Sequence, residues 1–309
     1  MNAILHNDFL FCVSDDEARS TLLDVRSGLE KGVTAPYLGP GLVALTTGEA
    51  SVPASPEAVA VALNIKAPAP SRIRTNMWSV AQYIEQRRHR NTLKAWMAEI
   101  FAATPKPLAL HRWLAALSLP LIIDSWYDGA MRAALKESGR QDFISIQGIT
   151  RAGEVRDTWT RVYRADDAAC DDAVPAQACT VLYEPHGGAQ PAGNFLVADS
   201  DYVEVLTEID IQTPIPDSVK ERRAALGFVF LGCRFHDQML RTYARQIIKR
   251  SKGPHYAVMD AASLSRNERR FLAENGITLI DMPLEEAVAI LAQEATVATA
   301  ATEQPVRTS

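Results

Sequence analysis

The chain has 309 residues, 47% hydrophobic and 22% charged, with a net charge of −5; this suits a globular protein and excludes the basic stripe that a nucleic-acid surface needs. No apolar run approaches the roughly 20 residues of a membrane span, and the amino terminus shows no basic-then-apolar leader. Four cysteines (Cys12, Cys170, Cys179, Cys233) without a CxxC pair predict free thiols, a cytoplasmic setting and no structural zinc.

Residues 15–31, "DDEARSTLLDVRSGLEK", place apolar side chains at helical spacing behind an acidic start, which suits the helix dipole. "VTAPYLGPGLVAL" (33–45) then reads as a short strand, a Gly-Pro-Gly turn and a helix start, the grammar of a nucleotide-binding crossover. A Ser/Pro/Ala-rich stretch (46–75) holds one short helix over 55–64, with Ser55 as N-cap and Pro56 in its first position. Two helical blocks, 77–103 and 108–117, complete a helical insertion of about 48–117. The basic run "EQRRHRNTLK" (85–94) reads as a solvated helix face, and Trp78, Tyr83 and Trp96 as packing residues.

From 119 the chain alternates. "LPLIIDSW" (119–126) has the continuous apolar character of a strand buried on both faces, and 128–139 is a helix stopped by Gly139. Residues 142–150 and 157–165 form a hairpin across "RAGEV", an Asp/Ala-rich loop (166–178) follows, and "CTVLYE" (179–184) is a strand. A helix over 198–209, a buried strand over 225–233 and a helix over 235–250 come next. Then β–α–β–α over 255–293 leads into a tail (295–309) with no core pattern, expected to be disordered.

Strand–helix alternation with short links predicts an α/β fold with a parallel sheet covered by helices on both faces. Ligands of such sheets lie beyond the carboxyl ends of the strands, which gathers Gly39–Gly41, Asp124–Asp128, His186–Gly188 and Gly232–Asp237 into one crevice. "VLYEPHGG" puts His186 there, where a histidine serves as core filler, metal ligand or general base. His89, His111 and His255 show no metal-ligand spacing, and neighbours His236 and Asp237 point to different faces of a helix.

These loops, in order, resemble the SIR2-like branch of the sirtuin superfamily. "YLGPGLVAL" is similar to its strand–Gly-Ala-Gly motif, "LIIDSWYDGAMRAAL" to its Thr-Asn-Tyr-Asp segment, and "LYEPHGG" with "VADSDYVEVL" to its Leu-His-Gly region. "FVFLGCRFHDQMLRTYARQI" resembles the segment that closes the nucleotide pocket. The resemblance spans roughly 33–293 and implies a Rossmann-like fold of the sirtuin/DHS type, with a domain over 33–294 preceded by a helical segment (1–32).

The resemblance implies a pocket for NAD or ADP-ribose and, if the chain is an enzyme, cleavage of the nicotinamide–ribose bond. His186 would be the base, Asp128 would hold its loop or the ribose, and Gly39, Gly41 and Leu42 would carry the pyrophosphate. Asp124, Gly187, Gly232 and Asp237 would complete the cofactor pocket, with no metal. For Asp124, Asp128 and Asp237, helix capping is the competing reading.

Three departures matter. Pro40 replaces the family's alanine and has no N–H, and Trp126 stands where the family has its catalytic asparagine, offering one donor and no acceptor. Trp126 would stack on nicotinamide or fill the pocket. Residues 187–232 contain no cysteine, so the zinc module of protein-deacylating sirtuins has no counterpart and deacetylation is not expected. The alternative is a catalytically impaired sensor or interaction module; the helical insertion offers a lid or a surface for self-association or a protein partner.

Overall fold

Eight runs rich in β-branched and aromatic residues, with the short Ala169–Cys170 strand at one edge, pair into one sheet, and the computed structural model describes residues 15–46, 52–150, 158–170, 178–208 and 215–293. In chain order the strands are β1 (Thr34–Leu38), β2 (Leu121–Asp124), β3 (Phe143–Gly148), β4 (Thr160–Arg164), β5 (Ala169–Cys170), β6 (Thr180–Glu184), β7 (Gly187–Gly188), β8 (Asn194–Phe195), β9 (Gly227–Leu231), β10 (His255–Met259) and β11 (Ile277–Asp281). The sheet runs β11-β10-β9-β1-β2-β6-β3-β4-β5, and β7 and β8 form a separate small ladder. Neighbours in the large sheet are parallel except β3–β4 and β4–β5.

Strand side chains alternate between two apolar layers. Ile122, Leu182, Val229 and Ile280 pack on one face against α1 (Asp15–Glu30) and, from later in the chain, α5 (Ala109–Ala116), α6 (Ala130–Glu137) and α11 (Leu284–Ala292). Ile123, Tyr183, Phe228, Phe230 and Leu279 pack on the other, against α2 (Pro56–Lys66), α3 (Met77–Arg88), α4 (Arg90–Ile100), α7 (Asp199–Glu208), α8 (Asp217–Arg223), α9 (Gln238–Ile248) and α10 (Arg266–Glu274). This is the expected α/β architecture with both faces covered.

The strand order fixes where a ligand belongs. β1 leads, through the insertion, to β2 on one side, whereas β9 leads to β10 on the other. The chain therefore diverges at the carboxyl ends of β1 and β9, which are paired along their length from Thr34 opposite Gly227 to Leu38 opposite Leu231. Such a divergence leaves a crevice that no crossover connection covers.

The structure departs from the sequence expectations in several places. The single helix expected over 77–103 breaks at His89, whose φ of 68° ends α3 and starts α4. The break turns Arg90 inward, where its guanidinium meets Asp201 at 2.9 Å, Glu85 at 3.1 Å and the Phe195 carbonyl. Arg90 is thus a half-buried anchor between the insertion and the segment around β8, and not part of a solvated face. From within the Gly-Pro-Gly turn runs one 3₁₀ helix (Pro40–Leu45), capped by Gly39, in place of an α-helix start. The β7–β8 ladder and α8 have no counterpart among the sequence expectations. Cys12, the "RAGEV" link, residues 171–177 and the tail from 294 lie outside the described residues.

Candidate functional site

At the divergence of β1 and β9 lies a cavity of about 390 Å³. Its floor is Tyr37, Pro40, Gly41, Gly232 and Cys233, and Ser125 after β2 closes one side. The amino terminus of α2 (Ser55, Pro56, Glu57) and the β9–α9 loop (Arg234, Phe235, His236) form its walls. Proline in the first position and a Ser55 hydroxyl accepting from the Ala58 amide fix the start of α2. Across the cavity, His236 Nε2 lies 2.9 Å from Glu57 Oε1 and ties the insertion to the loop.

The glycines of this floor are explained by backbone-to-backbone contact. A Cβ on Gly39 would come within 2.6 Å of the Gly232 carbonyl oxygen, and one on Gly41 within 2.8 Å. Gly232 has φ +70°, which favours glycine, and its carbonyl accepts from the Gly41 amide at 2.8 Å. The Gly39 amide donates to Leu231 O and the Leu42 amide to Gly39 O. The three amides expected to face a pyrophosphate are therefore hydrogen-bonded within the protein, and Leu42 points into the apolar layer under α1.

The cations of the cavity are also engaged. Arg234 bonds the buried Glu268 at 2.9 and 3.1 Å. Burial alone would raise the Glu268 pKa; hydrogen bonds from Arg234, Ser265 and the Phe235 amide outweigh it and bring the carboxyl down to about 2. Burial also pushes the Cys233 thiol up, so it is protonated and unreactive at neutral pH.

His186 lies outside the lining of this cavity. It is 4% exposed, its Nδ1 is 2.9 Å from the Tyr202 hydroxyl, and its ring packs on Tyr243 at a centroid distance of 4.7 Å. The buried rings of Tyr127, Tyr202 and Tyr243 surround it, and the Tyr183 hydroxyl lies 3.2 Å from that of Tyr243. Burial pushes the imidazole pKa down to about 3, so the ring is neutral at physiological pH and a weak base. The following Gly187 has φ +78°, and a Cβ there would lie 2.3 Å from Asn194 O: this glycine makes the β7–β8 ladder possible.

Trp126 is 3% exposed and packs against Phe101 and Tyr127, and its Nε1 donates to Pro53 O at 2.8 Å. It joins the segment just before α2 to the end of β2. Asp124 and Asp128 are buried outside the cavity lining. Asp124 accepts from the Trp126 amide at 3.3 Å, and Asp128 from the Ala130 amide at 2.7 Å, at the start of α6. Burial raises both carboxyls, Asp128 to about 6, and each is raised further by neighbouring acids, Glu184 among them. Asp237 caps α9 through the Met239 amide at 2.7 Å and lines a second hollow of about 510 Å³ with Asn76, Trp78 and Asp199.

The structure thus brings Gly41 and Gly232 to the cavity and leaves His186, Trp126, Asp124 and Asp128 outside its lining. Ser125, Arg234 and His236 lie within loops that the strand-end rule gathers, whereas Glu57 escapes a sequence reading, because pairing α2 with the β9–α9 loop joins residues 179 positions apart. Among the described residues no group of His, Cys, Asp or Glu could hold a metal ion, and no helix is long and apolar enough to cross a membrane.

Among curated proteins, none matches the chain. A family model described as SIR2-like domain matches residues 120–280, from the start of β2 into β11, leaving the first glycine turn and the insertion outside. With more than half of its length covered, and a mainly parallel sheet flanked by helices to match, the chain belongs to the SIR2-like domain family.

Proposed function

We propose that the chain binds NAD or ADP-ribose in the cavity at the divergence of β1 and β9. The observation that carries this reading is position: the cavity stands beyond the carboxyl ends of two adjacent parallel strands whose connections leave in opposite directions. Its size suits part of a dinucleotide, and its lining mixes apolar surface (Tyr37, Pro56, Phe235, Leu240) with a few polar groups, as small-molecule sites do. The glycine turn contributes shape more than donors, since its amides are already bonded.

Of the two activities open to such a pocket, binding without efficient cleavage is favoured. His186 is enclosed by tyrosines and is a weak base, and the Trp126 indole N–H is committed to Pro53 O. Losing a positioned donor of this kind commonly lowers a rate by about 10²–10³. The hydrolase reading keeps one observation in its favour, the Tyr202 hydroxyl that orients the His186 ring.

Nicotinamide release from NAD separates the two. Binding without cleavage predicts that wild type and His186→Ala release nicotinamide at the same background rate. A wild-type rate tenfold or more above the variant, with both proteins folded, would establish the hydrolase reading instead.

A further inference from the structure

The lining of the cavity carries an asymmetry of charge. Arg234 is neutralised by Glu268, a residue buried beneath it, while Glu57 projects from the first turn of α2 with its side chain 51% exposed. Among the described residues its side-chain ion partner is His236, which faces it from the opposite wall with its own side chain 35% exposed. Burial would raise the Glu57 pKa, but its own backbone amide, the Ser55 hydroxyl and His236 lower it, so the carboxylate is ionised at neutral pH.

Resting on the nucleotide-binding reading above, we propose that Glu57 is a specificity-determining residue that accepts the hydroxyls of a ribose diol and excludes nucleotides phosphorylated at the ribose 2′ position. An ionised carboxylate is acceptor-only, and beside the His236 contact on Oε1, Glu57 keeps Oε2 and its remaining lone pairs for the donors of a cis-diol. A 2′-phosphate at that place would bring two further negative charges against Glu57. Arg234, the cation that would otherwise compensate, is held at 2.9 and 3.1 Å by Glu268. The bland role for Glu57, a first-turn acid that favours the helix dipole and latches α2 to His236, predicts no such selectivity.

The test is calorimetric titration of the full chain with ADP-ribose and with 2′-phospho-ADP-ribose, for wild type, Glu57→Gln and His236→Gln. Wild type should prefer ADP-ribose by about tenfold or more, and Glu57→Gln should shrink that preference below about threefold. His236→Gln breaks the latch but keeps the carboxylate, so it should retain the preference. Equal binding of both ligands by wild type, or an undiminished preference in Glu57→Gln, would overturn the assignment and leave the pocket standing. A preference lost in His236→Gln as well would overturn it in favour of the latch. Binding of neither ligand by wild type would overturn the nucleotide reading and this assignment with it.

Discussion

Asp128 and His186 belong to motifs that the resemblance linked to chemistry, and each is buried outside the cavity lining in surroundings that shift its proton affinity. For Asp128, burial raises the carboxyl to about 6 while its oxygen accepts from the Ala130 amide. A carboxyl whose folded pKa lies above its unfolded value favours the folded state while protonated. That contribution is lost as pH rises from the ordinary aspartate range through about 6. An asparagine side chain in its place would keep the bond from the Ala130 amide without the charge. Asp128→Asn should therefore match or exceed wild type at pH 7, by roughly 1–2 kcal/mol in urea unfolding, with the advantage vanishing below about pH 4. A variant several degrees less stable than wild type at pH 7 would show that the ionised carboxylate has a partner that holds it. Sequence patterns revealed Asp128 as a cap or a ligand; its burial against Glu184 and Asp124 depends on β2 and β6 becoming neighbours, which no local pattern encodes.

Among the elements, the strands and most helices were legible because burial on one or two faces writes a period into the residues. Ser55 and Pro56 announced α2, and Leu121–Asp124 announced a central strand. The break at His89 was not legible: it is sustained by Arg90 reaching Asp201, 111 positions away. The β7–β8 ladder was hidden for another reason, since two-residue strands carry no period. Its glycines are nevertheless unequal. Gly187→Ala should cost about 2–4 kcal/mol, because φ +78° and a Cβ 2.3 Å from Asn194 O both oppose a side chain. Gly188→Ala, with no atom nearer than 3.5 Å to the new Cβ, should cost under about 1 kcal/mol. Comparable losses in thermal unfolding would mean that the ladder does not constrain Gly187 as described.

At the scale of the whole molecule, strand–helix alternation points to the α/β class, and the rule of strand ends gathers four loops into one crevice; the structure brings the first glycine turn, Ser125 and the 232–236 loop to the cavity lining, but not His186–Gly188. The order around β1 decides that. β9 lies beside β1 although seven strands and the whole insertion come between them in the chain, so the 232–236 loop and the first glycine turn share a floor. The His186 loop instead follows β6, two strands away from β1. The insertion supplies the remaining wall through Glu57, a contribution invisible until α2 is placed. The central claim is that this floor and wall hold a pyridine dinucleotide or ADP-ribose. Titration calorimetry of NAD and ADP-ribose into wild type and Leu240→Trp tests it most directly, because the larger ring enters the cavity from α9. The account predicts saturable heat with wild type and at least about tenfold weaker binding with the variant. Absence of binding to wild type, or equal affinities for the two proteins, would contradict it.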